Sequence, residues 1–521
     1  MSRHSMAVGA REPTDMGPRG KPPRRGESTF LLQYGFVIDQ EACIGCHACT
    51  VACKAENNVP VGSFRTFVKY VDVGSYPDVT RQFLVQRCNQ CTSAPCVAIC
   101  PVNALVKRPD GIVDVDREAC IGCRACMQAC PYDAIYLNED LRAVEKCHFC
   151  AHRVERGLEP ACAVVCPVRA IIPGDFDDPE SEVSQLVRMK ATRARREEQG
   201  TGPNVRYVGA SELTLVPGIA RRERSYMWSE RPSSQVESPN TDRDVRPDAT
   251  VSLDVEAKVE WGWPVALYLL TKSIAGGAAL LAPFSSVLGV APPRFFFEAI
   301  ALAFTAITVF LLVEDLAKPM AFYRLFTRPN WNSWLVKGGV LLSVFGATTA
   351  AILVLDVFSP GGELVEPLRW VNALLGALVA GYTAFLFRQC KGRDLWEGPT
   401  VLPHLIVQAA LCGAAICIPW TQGVGAAQFL FAICAGMHIA LIVAENFLPH
   451  PTENGKQALG YLTSLPLLGV SARSLSIALA AAAAILAFLP LGALVAAAFA
   501  TASLFAYEHA FVRAGQLPPL S

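Results

Sequence analysis

The chain has 521 residues, too many for one ordinary domain, and its 46 basic residues balance its 46 acidic ones, so its charge does not point to a nucleic-acid binder. Sixteen of the 20 cysteines fall between Cys43 and Cys166, whereas the second half of the chain is dominated by apolar runs. A disulfide framework would require a secreted chain, and the first 30 residues contain no apolar export segment.

Changes in composition along the chain predict four regions. Residues 1–30 have few apolar side chains and many Gly and Pro, so they are predicted to be disordered. Residues 31–180 form a cysteine-rich domain, residues 181–258 a linker, and residues 259–521 a membrane domain. The basic run from Arg193 to Arg196 in the linker is interpreted as a solvated, flexible segment rather than a binding patch.

The cysteine-rich domain repeats internally. The stretch from Glu41 to Cys53 reads EACIGCHACTVAC, and the stretch from Glu118 to Cys130 reads EACIGCRACMQAC. Both have the C-x2-C-x2-C-x3-C spacing of bacterial ferredoxins, in which one tight loop supplies three soft thiolate ligands to a [4Fe–4S] cluster. The repeat therefore predicts a tandem, α+β, bacterial-ferredoxin-like domain with four [4Fe–4S] clusters.

The fourth cysteine of each group is predicted to bind a neighbouring cluster, because the short helix after the loop carries it away from the first three. Zinc is the alternative for C-x2-C pairs. The closely spaced third cysteine and the Cys-Pro ends at Pro101, Pro131 and Pro167 oppose zinc. The predicted ligand sets are site A, Cys43, Cys46, Cys49 and Cys166; site B, Cys147, Cys150, Cys162 and Cys53; site C, Cys88, Cys91, Cys96 and Cys130; and site D, Cys120, Cys123, Cys126 and Cys100.

From Trp263 onward, apolar segments recur that are long enough to cross a bilayer, which takes about 20 residues. They predict an all-α polytopic membrane bundle of about eight helices, with the last two segments meeting at Pro490. The segments are 264–290, 295–316, 334–358, 368–389, 400–420, 424–446, 470–489 and 490–512.

Three stretches carry a family resemblance: RCNQCTSAPCVAICPVNAL, DGIVDVDREACIGCRACMQACPYDAI and KCHFCAHRVERGLEPACAVVCPVRAI. With them, residues 36–180 resemble the four-cluster electron-transfer subunits of the molybdopterin oxidoreductase superfamily, such as those of dimethyl sulfoxide, polysulfide and tetrathionate reductases. The resemblance implies that a partner subunit of the molybdopterin type converts the substrate.

The membrane half resembles the polysulfide-reductase membrane subunits of the NrfD type, through EDLAKPMAFYRLFTRPNWNSWLVKG, GYTAFLFRQCKGRDLWEGP and the ending AYEHAFVRAGQLPPLS. That family usually forms a separate chain, and it implies electron exchange with a quinone, menaquinone or ubiquinone, in a bacterial cytoplasmic membrane. Three alternatives stay open. They are a module of a quinol-oxidising complex with a multihaem cytochrome partner, a redox-driven proton-translocating subunit, and a plain anchor.

Ionisable side chains inside membrane spans are costly and therefore mark functional candidates. Quinone chemistry needs a proton donor or acceptor beside the ring oxygens, so Lys272, Glu298, His438 and Glu445 are the candidate quinone-binding residues. His438 and Glu445 are seven positions apart, which puts them on one helix face. Polar contacts between helices and interfacial snorkelling are the alternative interpretation.

The distribution of basic residues predicts that the cluster domain faces the cytoplasm, where positive charge in short loops concentrates. With eight spans, the N-terminal domain, the even-numbered loops and the C-terminus share one side, and the opposite side has only Arg294 and Arg369 in its short loops. The basic residues on the cluster side are Lys318, Arg324, Arg328, Arg388, Lys391, Arg393, Lys456, Arg473 and Arg513.

Overall fold

The computed structural model describes residues 32–222, 246–255, 259–359, 362–421, 423–448, 452–489 and 492–520. Within these ranges a sheet-containing half is followed by a helical half, so the predicted α+β domain and helical membrane bundle are confirmed. The predicted disorder of residues 1–30 concerns residues that lie outside the described ranges.

The first half is built around a central strand that is buried on both faces. In strand Tyr34–Asp39, Phe36 and Ile38 pack in the core that contains Cys49 and Cys162, and Val37 packs on the opposite face against Val183. The strands are β1 Tyr34–Asp39, β2 Thr66–Ser75, β3 Asp78–Arg87, β4 Leu105–Lys107, β5 Val113–Val115, β6 Ile135–Asn138, β7 Ala143–Lys146, β8 Ile171–Asp175, β9 Thr192–Arg193, β10 Val205–Val208, β11 Ala220–Arg222 and β12 Arg246–Leu253.

Two four-stranded sheets, ordered β8-β1-β10-β9 and β11-β12-β2-β3, organise this half, and hairpins β4-β5 and β6-β7 complete it. Its short helices follow the cysteine loops or cover the sheet edges. They are α1 Ala48–Asn57, α2 Pro95–Ile99, α3 Ala125–Ala129, α4 Ala151–Val154, α5 Ala161–Val164, α6 Glu182–Met189 and α7 Glu212–Leu215.

The described part of the segment predicted as a linker, 181–258, contains strands β9 to β12 and helices α6 and α7. Strand β10 pairs in parallel with β1, with Phe36 opposite Val205, and β12 pairs with β2, with Asp72 opposite Thr250. These strands are short and flanked by polar residues, so composition alone does not distinguish them from a linker. The strands of this segment extend the two four-stranded sheets of the cluster domain.

The interpretation of the basic run as solvated is wrong for Arg195 and Arg196, whereas Arg193 is exposed. Arg195 is 1% exposed and Arg196 is 7% exposed. The Arg195 guanidinium donates to the Leu520 carbonyl at 2.6 Å, and Arg196 forms an ion pair with Asp394 at 2.8 Å. Both arginines thus donate to acceptors that lie far away in the sequence, and these contacts tie the cluster domain to the helical half.

Seven helical segments of the described chain are long and apolar enough to cross a membrane, and the apolar helix Ala472–Leu486 is shorter. Together they match the eight predicted segments, whereas Pro490 lies outside the described residues. The helices of this half are α8 Trp263–Leu281, α9 Phe296–Glu314, α10 Arg324–Thr327, α11 Trp334–Phe358, α12 Val365–Gln389, α13 Val401–Cys417, α14 Ala426–Ala444, α15 Glu453–Ser464, α16 Ala472–Leu486 and α17 Ala493–Ala514, with a small hairpin of β13 Pro466–Leu467 and β14 Val470–Ser471.

Helix α8 lies at the centre of the bundle and contacts α9, α12, α13 and α17. Glycines make this close packing possible. A Cβ on Gly276 would lie 2.7 Å from the carbonyl oxygen of Gly376, and a Cβ on Gly277 would collide with the backbone of α13. The first membrane helix is thereby held tightly between its neighbours.

Candidate metal centres and a buried polar cluster

The two repeated cysteine loops have the same backbone conformation. In the first loop Gly45 and His47 have φ of 70° and 57°, and in the second Gly122 and Arg124 have φ of 72° and 58°. Left-handed residues in such turns point successive amides into one concavity, a geometry found at many iron–sulfur sites. Each loop then opens a short helix, α1 or α3.

Cys53, the last cysteine of the first repeated stretch, lies beside cysteines from a later part of the chain. One cavity is lined by Cys53 from helix α1 together with Cys147, Cys150 and Cys162. Burial, followed by these three neighbouring thiols, raises the pKa of Cys53. This is the arrangement that site B requires.

The other predicted fourth ligands also lie near cysteines of the sites predicted for them. Burial raises the pKa values of these thiols, and the neighbouring thiols raise them further. The fourth-ligand neighbours that act in this way are Cys166 on Cys43, Cys130 on Cys91, and Cys100 on Cys123. Within the described residues, no three His, Cys, Asp or Glu side chains are arranged to hold a single metal ion.

The four sites form a row. Site A is the outermost, since Cys46 is exposed, whereas all the cysteines of site C are buried. Adjacent sites are close enough for single thiols to influence each other electrostatically. The thiols that link A to B, B to C and C to D are Cys49 with Cys162, Cys147 with Cys88, and Cys96 with Cys126.

Site D lies against the helical half. The amide of Ala317, just after α9, donates to the Gly122 carbonyl at 3.3 Å, and the amide of Lys318 donates to the Ile121 carbonyl at 3.2 Å. Just before α8, the indole of Trp261 donates to the Cys123 carbonyl at 3.5 Å. The loop that holds three cysteines of site D is therefore bonded directly to the ends of two membrane helices.

A second contact holds the fourth cysteine of site D. The Asn330 side chain donates to the Cys100 carbonyl at 2.8 Å, and the Ser333 hydroxyl donates to the Ile99 carbonyl at 2.6 Å. These carbonyls belong to the C-terminal end of helix α2, where backbone acceptors lack helical partners. Residues before α11 thus satisfy the end of a cluster-domain helix.

An aromatic ladder leads from this interface into the bundle. Its first member, Trp261, stacks on Trp396 with ring centroids 5.6 Å apart. The following centroid separations are 4.8, 6.2, 5.7 and 4.4 Å, along Trp396, Phe387, Phe511, Tyr507 and His404. Apolar rings therefore fill the space between site D and a polar cluster inside the bundle.

That polar cluster joins α13, α14 and α17. The His404 Nε2 and His438 Nδ1 atoms are hydrogen-bonded at 2.8 Å, and the Tyr507 hydroxyl donates to Glu445. His404 Nδ1 lies 4.0 Å from the Glu445 carboxylate, and the rings of His404 and Tyr507 are in contact. All four side chains are less than 5% exposed.

Lys272 belongs to an adjoining polar group. Its ammonium donates to the Thr383 hydroxyl and lies 4.9 Å from the centroid of the Tyr382 ring. Glu508, which follows Tyr507 on α17, faces the same ammonium. The lysine and the histidine–glutamate cluster are thus linked through consecutive residues of one helix.

Glu298 lies at the other end of the bundle. It forms an ion pair with Arg369 at 2.7 Å, and Arg369 also pairs with Asp356 and Glu366. The structure therefore separates Glu298 from the other candidate quinone-binding residues.

Comparison with known proteins agrees with this geometry. The model of the 4Fe-4S dicluster domain matches residues 79–176, that of a 4Fe-4S binding domain matches residues 34–55, and that of polysulphide reductase, NrfD, matches residues 252–421. A tetrathionate reductase subunit of Salmonella typhimurium is 42% identical over 213 residues, which are 40% of this chain and 84% of that protein. A polysulfide reductase subunit of Wolinella succinogenes is 41% identical over 176 residues, which are 33% of this chain and 92% of that protein.

The protein belongs to the family of reductase iron–sulfur subunits that includes these two relatives. Arsenate respiratory reductase iron–sulfur subunit ArrB of a Shewanella species is a further relative, 34% identical over 225 residues that cover 34% of this chain and 96% of that protein. The resemblance inferred from the cysteine motifs is confirmed, as is the NrfD-type nature of the membrane half. The chain is a multi-pass membrane protein that carries iron–sulfur clusters and transfers electrons.

Sequence reasoning missed several members of the buried polar groups in this iron–sulfur subunit, among them His404, Tyr507 and Glu508. Tyr507 and Glu508 lie in the AYEHAF stretch, which carried the NrfD-type resemblance but was not interpreted as part of a site. His404 is not among the residues that the sequence predicts at the quinone site. A usable signal was its four-residue spacing from the buried Gln408, which places two polar side chains on one face of an apolar helix.

Proposed function

We propose that this subunit carries electrons between a partner catalytic subunit and a membrane quinone, menaquinone or ubiquinone, with one [4Fe–4S] cluster at each of sites A to D. When bound, the clusters supply one-electron carriers held by cysteine thiolates. The main support is spatial: the row of sites ends at the helical half, and the aromatic ladder leads from there to the polar cluster.

The partner is proposed from the relatives, whose names describe them as components of reductases. We propose a catalytic subunit of the molybdopterin type, with a multihaem cytochrome as the alternative partner. The exposed site A, with Cys46 at its surface and Ile44 55% exposed, is the proposed point of electron exchange with that partner. A cluster near the surface shortens the distance to a redox partner.

The quinone site is proposed at the polar cluster, with His438 and Glu445 as the groups that exchange protons with the quinone oxygens and Lys272 beside them. These side chains are buried in a bundle whose walls are apolar, which suits a ring with two polar oxygens. For Glu298 we propose a structural role, because its charge is balanced by Arg369.

Iron content tests the clusters. Four [4Fe–4S] clusters correspond to about sixteen iron atoms per chain, and anaerobically purified protein is expected to contain that amount together with equivalent acid-labile sulfide. A content near half of this, or stoichiometric zinc, would contradict the proposal. Cys130→Ser is expected to change the EPR signal of site C, and a change confined to site D would contradict the exchange of ligands.

Reoxidation of dithionite-reduced protein by a water-soluble quinone analogue tests the quinone site. His438→Ala, Glu445→Gln and Lys272→Met are expected to slow it by about 100-fold, the lower range for loss of general acid–base catalysis. Glu298→Gln is the matched control and is expected to react at the wild-type rate. No reaction in the wild type would reject the quinone function, and wild-type rates in all three variants would reject these residues.

We further propose that the cluster domain faces the cytoplasm of a bacterium and that the exposed apolar faces of α9 and α11 contact lipid. Two of the basic residues on the cluster side, Lys318 and Arg393, also donate hydrogen bonds to the cluster domain. Labelling with a membrane-impermeant thiol reagent tests the orientation. Glu363→Cys is expected to react from outside and Thr463→Cys only after lysis, and the reverse pattern would overturn it.

A further inference from the structure

Arg87, at the end of strand β3, lies inside the cluster domain beside site B. It is 3% exposed. Its Nη1 donates to the Cys162 thiol sulfur at 3.3 Å, its Nη2 donates to the Thr66 hydroxyl at 3.1 Å, and its guanidinium carbon lies 4.3 Å from the centroid of the Phe36 ring. These three contacts fix the direction in which the guanidinium points.

Cysteines are the ionisable groups that interact most strongly with Arg87. Its positive charge acts on Cys162 and Cys147 of site B and on Cys49 of site A. No carboxylate forms an ion pair with it in the part of the chain that the structure describes, and its Nε has no hydrogen-bond partner there. The guanidinium is therefore a buried cation at the junction of two sites, hydrogen-bonded to a cysteine of one of them.

Arg65 shows how different this is from an ordinary buried arginine. Arg65 lines the same cavity as the site B cysteines, and it is 4% exposed. Its charge is offset by Glu145, at 3.3 Å, with further hydrogen bonds to Asn57 and Tyr136. A buried charge without such a partner is strongly unfavourable, so the position of Arg87 calls for a negative group that the cysteine sites themselves provide.

We propose that Arg87 sets the reduction potential of site B and, to a smaller extent, that of site A. This inference rests on the proposed function, in which both sites hold [4Fe–4S] clusters. Reduction adds one electron and no proton, so each reduced site gains one negative charge. A fixed cation and an N–H···S hydrogen bond stabilise the more negative state, which raises the potential.

A potentiometric titration monitored by EPR on the full-length protein tests the proposal. In Arg87→Gln the equilibrium constant for reduction of site B is expected to fall by about tenfold or more, and each tenfold corresponds to 59 mV for a one-electron couple. Arg87→Lys keeps the charge and is expected to keep most of the potential. Arg81→Gln is the control: it lies on the same strand and changes the net charge equally, but its side chain is 50% exposed and paired with Asp72.

A second measurement compares the wild-type protein with the variant that keeps the charge. In wild-type protein labelled with 15N-arginine, pulsed EPR is expected to detect nitrogen coupled to the reduced site B, and Arg87→Lys in the same label is expected to lose that coupling. Iron content distinguishes a failure of the proposed clusters from a failure of the proposed role of Arg87, because missing iron in the wild type rejects the clusters and not the role of Arg87. Unchanged potentials in Arg87→Gln, an equal shift in Arg81→Gln, or absent coupling in the wild type would overturn the role of Arg87.

Discussion

Replacing Gly122 by alanine is expected to weaken the contact between site D and the membrane half. A Cβ at this position would lie 2.4 Å from the Cβ of Ala317 and 3.2 Å from its amide nitrogen, so one of the two segments must move. The left-handed backbone adds about 1–2 kcal/mol of strain for alanine, and overpacking adds about 1–3 kcal/mol. The overpacking part alone lowers the equilibrium constant for docking by about fivefold to 150-fold.

Gly157 provides a matched control. Its φ of 73° equals that of Gly122 within a degree, but nothing lies within 4 Å of the Cβ that alanine would add. Gly157→Ala therefore carries the backbone strain without the collision and is expected to leave docking unchanged. The difference between the two variants isolates the contact with Ala317.

Hydrogen exchange of the Ala317 amide, which is bonded to the Gly122 carbonyl, measures docking directly, and quinone-analogue reoxidation measures its effect on electron transfer. In Gly122→Ala the Ala317 amide is expected to lose protection from exchange. The variant is also expected to be reoxidised slowly by the quinone analogue although its iron content is complete. Adding Ala317→Gly removes the atom closest to the new Cβ, so it is expected to restore part of the protection from exchange and part of the reoxidation rate. Equal effects of Gly122→Ala and Gly157→Ala, or no rescue by the second substitution, would refute the reasoning.

Three other changes test the joint between the halves. Burial raises the pKa of Asp315 to about 6, although Arg124 opposes the shift. The docked state therefore favours the protonated carboxyl, whose contribution to docking is complete below about pH 4 and is lost as the pH rises through 6. Asp315→Asn is expected to remove this step from a plot of docking against pH. Gln516→Leu removes hydrogen bonds that include Gln128 and is expected to loosen the interface, seen as faster proteolysis between the halves, whereas unchanged cleavage would contradict this. Asp394→Asn weakens three contacts to neighbouring segments and is expected to increase hydrogen exchange across residues 192–199, with unchanged exchange as the contrary result.

The candidate quinone-binding residues show where sequence reasoning stopped. His438 and Glu445 were recognised because a polar residue in an apolar helix is visible locally, and the structure brings them together with His404 and Tyr507. Glu298 was chosen by the same criterion, but its ion pair with Arg369 at the opposite end depends on how the helices pack. Hydropathy identifies costly residues without indicating which of them share a site.

The sequence by itself determined the features that depend on local spacing. These are the repeated cysteine loops, because one short turn supplies three of the thiolates of a site, and the membrane helices, because each must satisfy its own backbone hydrogen bonds in lipid. Tertiary structure alone decided which distant groups meet. Strand β10 joins β1, Arg195 meets the Leu520 carbonyl, and Gly122 meets Ala317. These contacts join residues more than 150 positions apart, so they follow from packing, and no local pattern in the sequence encodes them.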